Sequence, residues 1–153
     1  MPAPLRVVID PNVLVSAAIT SSGAMAAVPD LIDVSVIVPI VSPALLAELS
    51  GVLRRDKFRQ YLTVEEAIAY VDELERIAET WDDSPDPPAI SPDRDDDYLI
   101  ALARSSEADA LVSGDTDVTG LELPSLPVLT PRELLDRLLT ETDEQSGSGP
   151  SSP

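Results

Sequence analysis

The chain contains neither cysteine nor histidine among its 153 residues. The absence of cysteine excludes disulfides, thiolate metal sites and cysteine nucleophiles, and the absence of histidine excludes every triad or zinc site that depends on an imidazole. A chain without cysteine is typical of a reducing cytoplasm, where we expect this protein to reside. Any chemistry it performs must therefore rest on carboxylate, amide, hydroxyl or basic side chains.

Aromatic residues are also scarce, at 3% of the chain, although 44% of the residues are hydrophobic. The core must be built from Val, Leu, Ile and Ala, in a chain long enough for one globular domain. No apolar run approaches the roughly 20 residues that a membrane helix needs, and no basic region precedes an apolar stretch near the N-terminus. We therefore expect neither a membrane segment nor a secretory signal.

Basic side chains are few. The chain has 10 of them and 28 acidic ones, and its formal net charge is −18. A surface of this sign repels nucleic acid unless cations or a local basic patch intervene. Four of the ten basic residues lie together in the segment R-R-D-K-F-R-Q, namely Arg54, Arg55, Lys57 and Arg59. This basic patch predicts a contact surface for nucleic-acid phosphates, and a solvated helix end is the alternative.

Short β-branched runs alternate with helical patterns along most of the chain. The predicted strands are 5–9, 34–38, 110–112 and 128–129, and the predicted helices are 24–33, 43–53, 64–80, 95–104 and 132–139. Ser42, Thr63 and Thr130 are predicted helix caps. This order predicts an α/β fold with a central parallel sheet of about four to five strands, covered on both faces. The predicted domain is 1–139, and the acidic, Ser-Gly-Pro-rich segment 140–153 is predicted to be a disordered tail.

Carboxylates follow two of the predicted strands. Asp10 comes directly after the first strand, and Asp115 and Asp117 follow the strand at 110–112. Because the carboxyl ends of parallel strands lie along one edge of a sheet, where ligands bind in folds of this type, these side chains are predicted to share that edge.

Two helices supply further carboxylates. Glu48 lies in the helix after strand two, and Asp95, Asp96 and Asp97 open the helix that precedes the strand at 110–112. Converging carboxylates raise each other's pKa, so they remain ionised together only around a cation. Oxygen ligands without histidine or cysteine select Mg²⁺ or Mn²⁺, which suits phosphoryl-transfer chemistry. Taken singly, each residue is also explained as a turn former, a helix-dipole partner or a solvated charge.

Five sequence blocks resemble those of PIN-domain proteins, in the same order. The blocks are R-V-V-I-D-P-N-V-L-V-S-A, V-S-P-A-L-L-A-E-L-S-G-V-L-R-R-D-K-F, D-D-D-Y-L-I-A-L-A, A-D-A-L-V-S-G-D-T-D and P-V-L-T-P-R-E-L-L, within residues 5–139. More narrowly, they resemble the VapC-like endoribonucleases, the toxins of toxin–antitoxin pairs. The resemblance implies a three-layer α/β/α sandwich of Rossmann-like type and metal-dependent cleavage of RNA. It also implies Mg²⁺ or Mn²⁺ as cofactor, a homodimer and a cognate antitoxin partner.

The resemblance also implies a role for each matching residue. The residues that match the family's acidic site are Asp10, Glu48, Asp95 and Asp115, with Asp96 and Asp117 as further candidate metal ligands. Asn12 matches an asparagine that orients the first aspartate, and Ser113 matches a residue that supports Asp115. The implied reaction is hydrolysis of an RNA phosphodiester.

Pro11 departs from the family pattern, in which a threonine usually stands between the aspartate and the asparagine. The change removes a backbone donor and a hydroxyl group, so a catalytically degenerate, partner-binding protein is the alternative function. Two phosphotransfer folds fit less well. A haloacid-dehalogenase-type phosphatase has a second aspartate where Asn12 stands, and a response-regulator receiver has a lysine after a late strand, whereas the only lysine here is Lys57.

Overall fold

The computed structural model describes residues 3–20, 28–85 and 96–147. Its strands are β1 (Leu5–Ile9), β2 (Ile37–Val41), β3 (Glu79–Thr80), β4 (Ala110–Val112) and β5 (Val128–Leu129). They form one sheet in the order β3-β2-β1-β4-β5, and every pairing is parallel. The five strands agree with the predicted central parallel sheet.

The helices in these ranges occupy both outer layers. They are α1 (Pro11–Ile19), α2 (Val28–Asp33), α3 (Pro43–Leu53), α4 (Val64–Ile77), α5 (Asp97–Ser105), α6 (Thr116–Thr119) and α7 (Pro131–Gly147). α5 packs against β1 and β4, α2 and α4 pack against β2, and α1 and α4 pack against α3. The arrangement confirms the predicted α/β/α sandwich. None of the described helices is long and apolar enough to cross a membrane.

The core is aliphatic, and its centre is β1. Val7 and Val8 are fully buried, because β1 lies between β2 and β4 with helices on both faces of the sheet. Ile9 pairs with Val112 at the carboxyl ends of β1 and β4. The backbone N–H of Asp10 continues this ladder by donating to the carbonyl of Val112 at 2.8 Å. The chain segments that follow β1 and β4 therefore begin side by side.

The predicted caps of α3 and α4 are present. The Ser42 hydroxyl accepts a hydrogen bond from the N–H of Leu45 at 3.3 Å and begins α3. At α4, the Thr63 hydroxyl accepts from the N–H of Glu66 at 3.1 Å, and the Glu66 carboxylate accepts from the N–H of Thr63 at 3.0 Å. These caps fix the starting points of the two helices, because they satisfy backbone donors that have no acceptor within the helix.

The predicted boundaries of β2 are wrong by three residues. The strand is predicted at 34–38 but begins at Ile37, because the chain turns at Ser35, whose φ is +59°. Val34 is 67% exposed, so the β-branched run starts outside the core. Pro39, predicted to lie in the connection after the strand, instead pairs with Val7 inside the ladder.

The predicted end of α4 is also wrong. The helix ends at Ile77, and Glu79–Thr80 form the edge strand β3, which sequence periodicity assigns to the helix. Specific partners hold this short strand in place. The Glu79 carboxylate accepts from Arg6 Nε at 3.0 Å, and the N–H of Trp81 donates to the carbonyl of Val41 at 2.9 Å.

The predicted start of α2 at residue 24 is not tested, because residues 24–27 lie outside the described residues and the described part of the helix is Val28–Asp33. Three further boundaries, in α5 and α7, differ from those predicted. α5 begins at Asp97 and ends at Ser105. α7 continues to Gly147, eight positions past the predicted end at 139 and into the predicted tail, where the Thr140 hydroxyl donates to the carbonyl of Asp136 at 2.9 Å. The division at 139 stays a prediction.

Candidate functional site

Asp10 is a buried carboxylate whose two oxygens are both held. It caps α1 at the carboxyl end of β1 and is 3% exposed. Its Oδ1 accepts from the backbone N–H of Asn12 at 2.9 Å, and its Oδ2 accepts from the Ser113 hydroxyl at 3.0 Å. Burial raises the pKa of Asp10; the two hydrogen bonds oppose this rise, and the negative charge of Asp115 adds to it. A bound cation would favour the ionised form of this carboxylate.

Ser113 joins the two strand ends that carry Asp10 and Asp115. It is fully buried directly after β4. Its hydroxyl donates to Asp10 and accepts a hydrogen bond from the backbone N–H of Asp115 at 3.1 Å. The two predicted aspartates and the predicted supporting serine therefore lie together.

Pro11 fits this arrangement without displacing a donor. It is the first residue of α1, where the missing N–H is one of those that no helical carbonyl accepts. A residue before proline favours extended backbone, and Asp10 has φ −52° and ψ 132°. The capping hydrogen bond comes from the next residue, Asn12. Asn12 thus orients Asp10 through its backbone N–H, while its side chain is exposed.

A cavity of about 330 Å³ opens beside the two aspartates. Its lining consists of Asp10, Asn12, Val13, Ser16, Gly114 and Asp115. Ser16 has no role in the sequence prediction. It lies four positions after Asn12 on α1, and this helical spacing is the signal that places both residues on one face.

Glu48 on α3 is hydrogen-bonded to a tyrosine on α5. Its side chain is exposed on α3, and its Oε2 accepts a hydrogen bond from the Tyr98 hydroxyl. Burial raises the pKa of Tyr98, and the hydrogen bond to Glu48 together with the negative charges of Glu48, Asp10 and Asp83 raises it further. Tyr98 therefore contacts one carboxylate, that of Glu48, and the charges of two more act on the pKa of its hydroxyl.

Asp83 is an acidic residue that sequence reasoning missed. It lies in the segment after β3, is half-buried, and its Oδ2 accepts from the N–H of Ala44 at 2.8 Å in the first turn of α3. The missed strand explains the omission. With residues 79–80 predicted as helix, the segment that follows them could not be placed at an edge of the sheet.

The acidic run at the start of α5 is only partly described. Asp95, predicted as a catalytic ligand, lies outside the described residues. Asp96 is half-buried directly before the helix, and Asp97, which the sequence gives no separate role, is 2% exposed as its first residue. The backbone of Asp117 belongs to α6, and its side chain is outside the part that the structure describes.

The described oxygen donors suit a magnesium ion that keeps several of its waters, and they do not form a site in which protein ligands alone surround the ion. Among the described residues, no three acidic side chains are grouped closely enough to hold a metal ion by themselves. Magnesium is usually bound through one or two carboxylates and keeps several waters. Asp10 and Asp115, beside an open cavity, match that requirement, and the chain contains neither histidine nor cysteine, the ligands that would favour zinc.

The basic patch divides into exposed and structural members. Arg54, Arg55 and Lys57 are exposed just after α3, and the Lys57 ammonium lies 5.1 Å from the centroid of the Phe58 ring. Arg59 is half-buried and donates through Nη2 to the carbonyl of Leu53 at the end of α3. Its guanidinium therefore anchors the segment that follows the helix.

Comparisons with known proteins agree with this fold. A family model described as "PIN domain" matches residues 6–117. PAE2754 from Pyrobaculum aerophilum superposes with a TM-score of 0.59 at 15% identity, over 89% of this chain and 90% of that one. VapBC2 from Rickettsia felis, bound to a DNA fragment from its promoter, superposes with a TM-score of 0.57 at 18% identity, over 82% of this chain and 98% of that one. No curated protein sequence matches.

Proposed function

Because the chain belongs to the PIN-domain family, we propose that it is a metal-dependent endoribonuclease that hydrolyses RNA phosphodiesters. PIN domains are generally nucleases and generally bind divalent metals. The observation that carries the proposal is the link from Asp10 through the Ser113 hydroxyl to the backbone of Asp115. This link brings two carboxylates to the carboxyl edge of the sheet beside an open cavity.

Asp10 and Asp115 are the residues that would hold Mg²⁺ or Mn²⁺. The other candidate ligands are Glu48, Asp95, Asp96 and Asp117. A carboxylate has about four lone-pair sites, and the described hydrogen bonds occupy two of those on Asp10, so both of its oxygens can still bind a cation. When bound, the metal would supply a water of lowered pKa and neutralise charge on the phosphate oxygens.

The protein's own residues would orient this chemistry. The N–H of Asn12 and the hydroxyl of Ser113 fix the Asp10 carboxylate before substrate arrives, which avoids a reorganisation cost during the reaction. Glu48 would accept a hydrogen bond from the attacking water. Pro11 leaves these contacts intact, so it gives no structural support to the degenerate alternative.

RNA would approach along the basic patch. Arg54, Arg55 and Lys57 are exposed and lie beyond the end of the helix that carries Glu48. On a chain with a net charge of −18, a local group of cations gives phosphates one favourable approach. Arg59 would support this surface by anchoring the segment after α3.

We also propose that the chain is the toxin of a toxin–antitoxin pair and that it forms a homodimer. The fold resembles that of VapBC2, and a strongly acidic chain suits a partner that offers basic side chains. The candidate dimer surface is the start of α4, where Tyr61, Val64 and Ile68 are exposed apolar residues. Its test is the oligomeric state of the purified protein, measured by light scattering for wild type and for Ile68→Glu.

The nuclease proposal is tested with Mn²⁺ and single-stranded RNA. We expect wild type to bind Mn²⁺ in calorimetry and to cleave the RNA, and Asp10→Asn to lose both properties. Asp72→Asn is the matched control, because Asp72 is exposed on α4. A wild-type protein that neither binds Mn²⁺ nor cleaves RNA would support the alternative of a partner-binding PIN protein without catalysis.

A further inference from the structure

Tyr98 is a residue for which the nuclease proposal supplies no role. It is the second residue of α5, it is half-buried, and its hydroxyl donates to Glu48 on α3, fifty positions earlier in the chain. Within the described ranges, this hydroxyl is the only hydrogen-bond partner of the Glu48 carboxylate. The contact therefore determines where the carboxylate points.

Glu48 needs such a partner because its side chain is exposed on a helix. A free glutamate on a helix surface samples several rotamers and loses that freedom when it binds a ligand. A donor that already selects one rotamer reduces the cost, because the ordering has taken place before binding. A tyrosine hydroxyl suits this task, since it donates one hydrogen bond and brings no charge to compete with a cation.

The surroundings of Tyr98 give the direction in which Glu48 is held. α5 packs against β1 and β4, the two strands that end at Asp10 and Ser113. α1, which Asp10 caps, packs against α3, so the two helices joined by the Tyr98–Glu48 hydrogen bond both adjoin the elements that carry Asp10. Asp83 anchors the other side of the contact, because it holds the first turn of α3 through Ala44 at 2.8 Å.

We propose that Tyr98 is a positioning residue that holds the Glu48 carboxylate toward Asp10 and thereby strengthens divalent-metal binding at this edge of the sheet. The proposal rests on the nuclease function proposed above. It differs from a packing role for Tyr98, which would affect folding stability and leave metal affinity unchanged.

The test compares two tyrosines whose hydroxyl groups donate to different acceptors. Tyr70 is also half-buried, and its hydroxyl donates at 3.0 Å to the backbone carbonyl of Leu14 and not to a carboxylate. Tyr98→Phe and Tyr70→Phe each remove one hydroxyl and keep the ring. We expect Tyr98→Phe to raise the Mn²⁺ dissociation constant about 10-fold in calorimetry, as for other hydrogen-bond partners of metal ligands. We expect Tyr70→Phe to leave it unchanged, with both variants folded by circular dichroism.

A double-mutant cycle shows whether Tyr98 acts through Glu48. Glu48→Ala should weaken Mn²⁺ binding, and Tyr98→Phe should have no further effect in that background, because the group it positions is gone. Equal Mn²⁺ affinity of wild type and Tyr98→Phe would overturn this inference and leave the nuclease proposal standing, as would effects of the two substitutions that simply add. A wild-type protein that binds no Mn²⁺ would overturn both.

Discussion

The Ser113 hydroxyl donates a hydrogen bond to Asp10 at 3.0 Å, although 103 positions separate the two residues in the sequence. The same hydroxyl accepts from the backbone N–H of Asp115 at 3.1 Å, so one buried group orders both aspartates. Ser113→Ala should lower the free energy of unfolding by about 1.5–3 kcal/mol, because it removes a hydrogen bond to a charged group. It should also weaken Mn²⁺ binding about 10-fold. Chemical denaturation and calorimetry measure the two effects.

Ser106 provides the control for this prediction. It is buried like Ser113, and its hydroxyl donates to the carbonyl of Ala103 at 3.3 Å, within α5 and its cap. Ser106→Ala should cost about 1 kcal/mol of stability and leave Mn²⁺ affinity unchanged. Equal loss of metal affinity in both variants would show that Ser113 acts through general stability.

Asp10→Asn should stabilise the metal-free protein at neutral pH. Burial raises the pKa of Asp10 above its ordinary value of 3.8, so the folded state binds the proton more tightly than the unfolded state does. Its contribution to stability is therefore complete below that ordinary value and is lost as the pH rises through the folded-state pKa. Urea denaturation with a chelator should show a stability gain for Asp10→Asn at pH 7 that disappears in acid. A lower stability of Asp10→Asn than of wild type at pH 7 would contradict the conclusion that burying the ionised Asp10 carboxylate is unfavourable.

Added Mn²⁺ should make wild type more stable than Asp10→Asn, the reverse of the order expected without metal. Under the proposed function Mn²⁺ binds the folded protein and not the unfolded chain, so it should raise the melting temperature of wild type as its concentration increases. Asp10→Asn lacks one of the two proposed ligands and should show no such rise. Asp72→Asn, on the exposed face of α4, should respond as wild type does. Calorimetric melting over a series of Mn²⁺ concentrations distinguishes the three proteins.

Local signals were sufficient to predict the elements that hold Asp10 and Asp115. The run Val7 to Ile9 is buried as a strand, and the S-G-D segment follows a strand of three buried residues. Parallel topology then places the two ends at one edge of the sheet, and the observed pairing of β1 with β4 makes them neighbours. The prediction of this part of the site rested on the fold alone.

The rest of the site depends on contacts that periodicity does not encode. β3 has two residues, and its position is determined by partners such as Arg6 and Val41. Without that strand, Asp83 has no predicted place. The sequence predicts Tyr98 to be part of a helix, and nothing in its own sequence neighbourhood indicates a hydrogen bond to α3. Pairing between distant helices is decided by tertiary packing, which a local window does not contain.

Replacing Pro11 by the threonine that is usual in the family should change little at the site. The N–H that threonine restores stands at the first helical position, where no helical carbonyl accepts it, and Asn12 already supplies the capping donor. Loss of the proline should reduce stability by about 0.4–1 kcal/mol, because the unfolded chain gains freedom. Mn²⁺ affinity and RNA cleavage should stay within about two-fold of wild type. A large gain in either for Pro11→Thr would mean that the proline impairs the site.

Substitutions in the basic patch should distinguish residues that bind RNA from a residue that stabilises the fold. Arg54→Gln and Arg55→Gln remove exposed charges, so they should raise KM for RNA, and the slope of log affinity against log salt should fall by about 0.7 per side chain. Arg59→Gln should instead lower stability, because the Arg59 guanidinium holds the carbonyl of Leu53. Arg76→Gln is the control: Arg76 is exposed on α4 and pairs with Glu73 in the same helix. If all four variants bind RNA with the wild-type salt dependence, phosphates do not contact this patch, and the substrate must reach Asp10 and Asp115 from another side.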